Sequence, residues 1–251
     1  MNDFVRYGLV GLIVLLTHFQ EGITGFGCTV LALPFVVLLL GLKVAVPVLV
    51  IQAWILALCI AVESRRRIVW AEFGKIVALV GLGLPFGIWM AKVLPESGLR
   101  WVLAFFMIAV GGQGLMTQGA AEGTARTVSG AARRLTTSLL PLGGIIHGAF
   151  GSGGPLVVAY ATKALPDKKL FRVTLCLLWF VLNTALIAQW IASSSLNGQI
   201  LRLSAFCLPF TLVGLVLGNV AHYRINEAAF RRLVYAVLIA SGLVLLWSLV
   251  R

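Results

Sequence analysis

Apolar residues fill eight long stretches of this chain, roughly 5–40, 44–62, 76–94, 99–117, 136–162, 173–192, 203–221 and 229–250, with polar residues gathered in the gaps. Six of these are close to the ~20 residues that carry an α-helix across a bilayer, so the pattern predicts an all-α integral membrane protein. The first and fifth differ. Residues 5–40 are too long for one crossing and are interrupted by Gln20-Glu21-Gly22-Ile23-Thr24-Gly25-Phe26-Gly27. Residues 136–162 are interrupted by His147-Gly148-Ala149-Phe150-Gly151-Ser152-Gly153-Gly154-Pro155. Glycine clusters of this kind weaken a lipid-facing helix, but they are tolerated at membrane depth where the freed backbone faces protein or a cavity.

The two interruptions correspond. Setting Gly25 on Gly151 places Gly22 on Gly148, Gly27 on Gly153 and Glu21 on His147. Further along, Gly83, Gly87, Glu96, Arg100 and Gly111 fall on Gly214, Gly218, Glu227, Arg231 and Gly242 at one offset of 131. Internal repetition on this scale marks a duplicated architecture. It divides the chain into a first repeat over 1–118, a linker over 119–135 and a second repeat over 136–251.

The basic residues choose between two topologies. If all eight stretches crossed once, the twenty Lys and Arg residues would divide ten against ten. If 5–40 and 136–162 are re-entrant helical hairpins, one side holds the basic residues of 65–75, 126–134, 163–172 and 224–232. That is fourteen of the twenty, against Arg6, Lys43, Lys92, Arg100, Arg202 and Arg251 on the other side. The second division is the asymmetry that the positive-inside rule expects. Hairpin arms of about 13–15 residues reach ~20 Å, enough to enter the membrane interior. Each repeat is then a hairpin plus three transmembrane helices. The odd count of crossings makes the repeats inverted, with both termini outside the cytoplasm and the linker inside. Inverted repeats with interrupted helices are a recurrent plan of secondary transporters.

Composition agrees and removes alternatives. The chain is 60% hydrophobic and 11% charged, where a soluble domain carries about a quarter charged residues. The net charge of +12 follows from loop topology and does not call for nucleic acid. Asp3 and Arg6 give no basic leader region, so the N-terminus does not read as a cleaved signal peptide. Cys28, Cys59, Cys176 and Cys207 are isolated in apolar surroundings, without metal-ligand spacing.

Chemistry concentrates at the interruptions. A new helix starts at about Cys28 and again at about Pro155, a residue suited to a first helical turn. A helix start offers unpaired N–H groups and a partial positive charge, which attract anions. Two such starts converging near the midplane make an anion site, with Thr24, Gly25, Phe26, Gly27, Gly151, Ser152, Gly153 and Gly154 as its candidate residues. The competing reading of the glycines is close helix packing. Arg172 at the head of the sixth stretch can bind or steer an anion, or anchor the helix at the interface. Asn183, a helical turn beyond Trp179, can line the pathway or bond a neighbouring helix. Glu21 fits either a coupled proton or a cap that accepts backbone N–H groups. His147, at the equivalent place, and His18, one turn before Glu21, are the other candidates for carrying a proton.

These residues carry a resemblance. GITGFGCTVLALP in the first half and GAFGSGGPLVVAY in the second resemble the paired glycine-rich signature of the TauE/SafE sulfite exporter family. KKLFRVTLCLLWFVLNT, which follows, is similar to that family's next segment. Cys28 and Thr29 replace the last two glycines of the first signature, while Pro155 and Tyr160 depart from the second. The resemblance implies a multi-pass protein of the bacterial inner membrane that moves sulfite or small sulfonates, often outward. A proton or another ion would be the coupling partner, and self-association stays open. It brings no cofactor, and the chain has no Walker phosphate-binding motif for ATP hydrolysis. Two other classes remain beside a carrier. One is a membrane-embedded metal-dependent hydrolase using His18, Glu21 and His147, short of the usual ligand number; the other is a passive anion channel.

Overall fold

The computed structural model describes residues 2–118, 130–165, 167–221 and 227–250. Among them are ten α-helices and no strand: α1 Asp3–Thr24, α2 Cys28–Leu40, α3 Leu42–Glu63, α4 Trp70–Val93, α5 Glu96–Gln118, α6 Gly130–Phe150, α7 Gly154–Ala164, α8 Lys168–Ala192, α9 Gly198–Ala221 and α10 Glu227–Val250. A 3₁₀ turn, Arg65–Arg67, links α3 to α4. Five helices, α3, α4, α5, α8 and α9, are long and apolar enough to cross a membrane. Side-chain caps fix several starts. Asp167 Oδ1 accepts the amides of Lys169 and Leu170 at 2.9 Å, and Asn197 Oδ1 accepts that of Ile200 at 2.9 Å, the bonding that makes Asp and Asn favoured first residues.

Both glycine-rich interruptions are breaks between helices, as expected. The arms differ from expectation in one respect. The second arms, α2 and α7, have 13 and 11 residues, which at 1.5 Å each is ~20 and ~16 Å. The first arms are longer, 22 and 21 residues. Asn2 caps α1 ahead of the apolar run, its side chain accepting from Phe4 N at 3.4 Å. α6 starts at Gly130, inside the stretch read as a linker, whose residues 119–129 lie outside the described ones. α7 folds back along α6, with Leu156 and Val157 against Gly143.

The outer face is apolar, as lipid requires: Leu82, Phe86 and Trp89 of α4 and Val216, Leu217 and Val220 of α9 are all exposed. α3 is the most enclosed of the five spanning candidates and packs on α2, α8 and α9. α4 packs on α6, α9 on α1, and α5 on α10. These crossings are made by glycines. Gly83 and Gly87 lie on the backbone of Pro141, Ile145 and Gly148, and Gly214 and Gly218 on that of Leu15, Phe19 and Gly22. The registers climb together, so α4 runs parallel to α6 and α9 parallel to α1. Gly111 meets Tyr235 and Ile239 while Gly242 meets Ala104 and Ile108, so α5 and α10 run antiparallel. α3 and α8 are antiparallel too, with Trp54 bonded to Thr184 and Val69, just past α3, to Thr174.

Backbone at van der Waals distance stabilises helix pairs in lipid, where no hydrophobic effect drives them together. A methyl group at Gly83 or Gly87 would overlap the backbone of α6, whereas Gly74 and Gly81 on the same helix face open space. Overpacking costs about 1–3 kcal/mol or more. Gly83→Ala and Gly87→Ala should therefore lower the thermal unfolding temperature in detergent, and Gly74→Ala and Gly81→Ala should leave it level or slightly higher. Equal behaviour of the two pairs would refute the glycine-packed crossing.

Candidate functional site

The first break is closed by its own side chains. Gly25, at φ 80°, ends α1 with its N–H on Glu21 O at 2.7 Å. Gly27, at φ 103°, precedes α2. Both lie in the left-handed region where only glycine is unstrained. Thr24 Oγ1 donates within the bend, lying 3.1 Å from Gln20 O and 2.9 Å from Phe26 O. Gln20 Nε2 donates to Thr24 Oγ1 at 2.9 Å and Phe26 O at 3.1 Å. Glu21 Oε2 accepts the amide of Cys28 at 2.7 Å. The start of α2 is thus capped by a carboxyl from its own chain.

The second break is left open. Gly151, at φ 62°, ends α6 with its N–H on His147 O at 2.7 Å. α7 begins after Gly153 with Pro155 in its first turn. His147 stands where Glu21 stands in the first break, and its ring turns away from the helix start. Nε2 lies 3.1 Å from Asn183 Oδ1, and the ring stacks on Trp179 with centroids 5.7 Å apart. His147 Nδ1 and Ser152 Oγ are enclosed without a hydrogen-bond partner, although both residues are nearly fully buried, at 2% and 3% exposure.

One face of α8 joins the two breaks. Trp179 donates its indole N–H to Gly25 O at 3.2 Å while stacking on His147. Cys176 Sγ points to the same carbonyl at 3.7 Å, Asn183 holds His147, and the stem of Arg172 packs on Gly25. Spacings of four, three and four along 172, 176, 179 and 183 make a single helical stripe. Trp179 and Cys176 were not among the expected site residues. That spacing, beside Arg172 and Asn183, is the signal that points to them.

Between the breaks lies a cavity of about 20 Å³, lined by Glu21, Gly27, Thr29, Val30, Ala53, His147, Gly151, Ser152, Gly154, Trp179 and Asn183. It sits halfway along α3 and α8. Of the expected binding residues, Gly27, Gly151, Ser152, Gly154 and Asn183 meet here, with Glu21 and His147. Thr24, Gly25, Phe26 and Gly153 shape the bends behind it. Arg172 faces a different, larger cavity. His18 is not brought to the cavity; its Nδ1 lies 2.8 Å from Val14 O and its Cβ against Gly214. Among the described residues no three His, Cys, Asp or Glu side chains are grouped to hold a metal ion.

A bundle of membrane-length helices enclosing a polar site between two broken ones has the architecture of membrane transporters. The sulfite exporter TauE/SafE family model matches residues 10–245, and the chain belongs to that family. A protein of Comamonas testosteroni named "Probable inner membrane transporter protein TsaS" is 28% identical over 183 residues, which are 71% of this chain and 72% of that one. No solved structure matches the chain. It is a multi-pass membrane transporter.

The cap on α2 can be tested by itself. Losing an N-terminal cap costs about 0.5–2 kcal/mol. Glu21→Ala should lower the unfolding temperature in detergent, while Glu21→Gln, which keeps an acceptor oxygen for Cys28 N–H, should recover most of the loss. No difference between the two variants would remove the capping role.

Proposed function

We propose that the protein is a secondary carrier of a small oxyanion, sulfite or an organosulfonate. It works in the export direction across the bacterial inner membrane, by alternating access around the cavity between the breaks. The observation that carries this reading is the meeting of two matched breaks in one buried cavity where Ser152 Oγ and His147 Nδ1 have no partner. An enclosed polar group without a partner costs about 1–3 kcal/mol, and a ligand oxygen that accepts from Ser152 Oγ relieves it there. Ser152 supplies a hydroxyl donor and the start of α7 a partial positive charge, which together favour an anion.

The carrier is an inverted duplication of a re-entrant hairpin and three crossings. Single crossings of 5–40 and 136–162 would give four reversals of direction, an even number, between α5 and α10 and between α3 and α8, which sets each pair parallel. Both pairs run antiparallel, which supports hairpins that enter and return. Matched glycine crossings, α4 on α6 and α9 on α1, support two halves related by a two-fold axis in the membrane plane. The termini then lie on the non-cytoplasmic side. The cavity of about 20 Å³ has room for about one water, so a larger anion requires the arms to part. That favours a carrier over a standing pore.

Glu21 couples the anion to a proton. Two unit charges about 4 Å apart repel by ~4 kcal/mol at an effective dielectric constant of about 20. An anion therefore enters beside Glu21 with a proton on that carboxyl. The sign follows: anion binding takes up a proton and strengthens as pH falls, the proton leaves with the anion, and outward flux runs down the anion's own gradient.

Proteoliposomes loaded with sulfite test the reading. An inward-acid proton gradient should speed efflux, Ser152→Ala should raise KM about tenfold for a lost charge-assisted bond, and Glu21→Gln should flatten the pH dependence. Absence of any gradient-stimulated flux of sulfite or of small sulfonates in well-folded protein would defeat the proposal.

A further inference from the structure

A second cavity lies beyond the first break, where the turn after α3 meets the start of α8 and the end of α9. Its volume is about 390 Å³, and Arg66, Arg67, Lys169 and Arg172 line it together with Ser64 and Asn219. Glu63 is the acid on its wall. Asp167 is close enough to feel Arg67 and Lys169, but its Oδ1 is engaged by two backbone amides. Four cations thus face two carboxylates around a space many times that of the central cavity.

Basic residues at a membrane surface are ordinary consequences of topology, so charge alone assigns no ligand. Arg172 adds a separate observation. Its Nη1 donates to Asn219 Oδ1 at 3.1 Å, but Nε and Nη2 are buried with no partner. Those two nitrogens form the edge of a guanidinium that grips an oxyanion through two parallel bonds. The same side chain lies on Gly25, at the back of the first break. Arg172 therefore stands at the inner end of the basic cavity, between it and the central site.

We propose that this cavity is a recruitment site for the carried oxyanion: Arg66, Arg67 and Lys169 draw a sulfite- or sulfonate-type anion from water, and the free edge of Arg172 receives it beside Gly25. The proposal rests on the carrier reading above. A cavity lined by one sign of charge raises the local concentration of its counter-ion and its rate of arrival, by ten-fold and more, in a salt-sensitive way. The residues of attraction are thereby separate from those that bind at the centre.

The test compares sulfite transport by the wild type and by Arg66→Gln/Arg67→Gln/Lys169→Gln in phosphatidylcholine liposomes. All three side chains are exposed, so folding should survive, and a matched unfolding temperature checks it. The triple variant should raise KM about tenfold, keep Vmax within about twofold, and lose the rise of KM with added KCl that screening gives the wild type. Arg66→Lys/Arg67→Lys should behave as the wild type. A triple variant with the wild-type KM and salt slope overturns the proposal, while the carrier reading stands. A wild type that moves no sulfite removes the carrier reading, and this proposal with it. An anionic lipid headgroup offers the same chemistry. If adding phosphatidylglycerol suppresses flux through the wild type but not the triple variant, lipid phosphate occupies the cavity and the recruitment role falls.

Discussion

The carbonyl of Gly25, set free where α1 ends, accepts the indole N–H of Trp179 at 3.2 Å, and the geometry of the site depends on that bond. Lipid offers no partner to a freed backbone group, so irregular chain at membrane depth must be satisfied by protein. Trp179 satisfies the first break with its edge and supports the second with its face, against His147. One side chain thus fixes the distance between two breaks that lie more than a hundred residues apart in sequence. Arg172, Cys176 and Asn183 on the same stripe press on the same two places. α8 acts as a ruler against which both breaks are set.

The ruler needs the helices of the breaks to be held in place, and glycine contacts on α1 and α6 do so. α4 reaches α6 and α9 reaches α1 through pairs of glycines one turn apart, Gly83 with Gly87 and Gly214 with Gly218. Each helix that holds a first arm therefore belongs to the opposite half of the chain. This exchange ties the halves together without any large polar interface.

Much of this was legible in the sequence, for identifiable reasons. Breaks at Gly25–Gly27 and Gly151–Gly153 were legible because positive φ and missing side chains demand glycine, and the glycines recur at matched spacing. The long helices were legible because lipid exposure imposes apolar runs of fixed length. What the sequence withheld was direction. Arg172 was grouped with the central residues, yet its stem rests on Gly25 and its head turns to the basic cavity. Thr24 carries a hydroxyl that suits a ligand, but the bend uses it internally. Such choices are settled by rotamers and neighbours, which residue type and spacing do not encode. The lengths of the first arms escaped for another reason: a helix continues beyond its apolar stretch wherever polar residues can cap it, as Asn2 does.

On the proposed duplication, the site arises where two matched breaks meet, and their divergence bears on what it would bind. Two identical breaks would present two open helix starts, and an anion between them would meet only partial positive charge. Here the first start is already occupied, because Glu21 Oε2 bonds to Cys28 N–H. At the matched place in the second half stands His147, which leaves its helix start uncapped and binds Asn183 instead. One half therefore brings a carboxyl to the cavity and the other an uncapped helix start. In the proposed carrier, an ionised Glu21 and a visiting anion would repel in low dielectric, and a proton on the carboxyl removes that repulsion. On that proposal, the difference between Glu21 and His147 ties binding to protonation, and a plain anion seat made of two glycine loops would have no such tie.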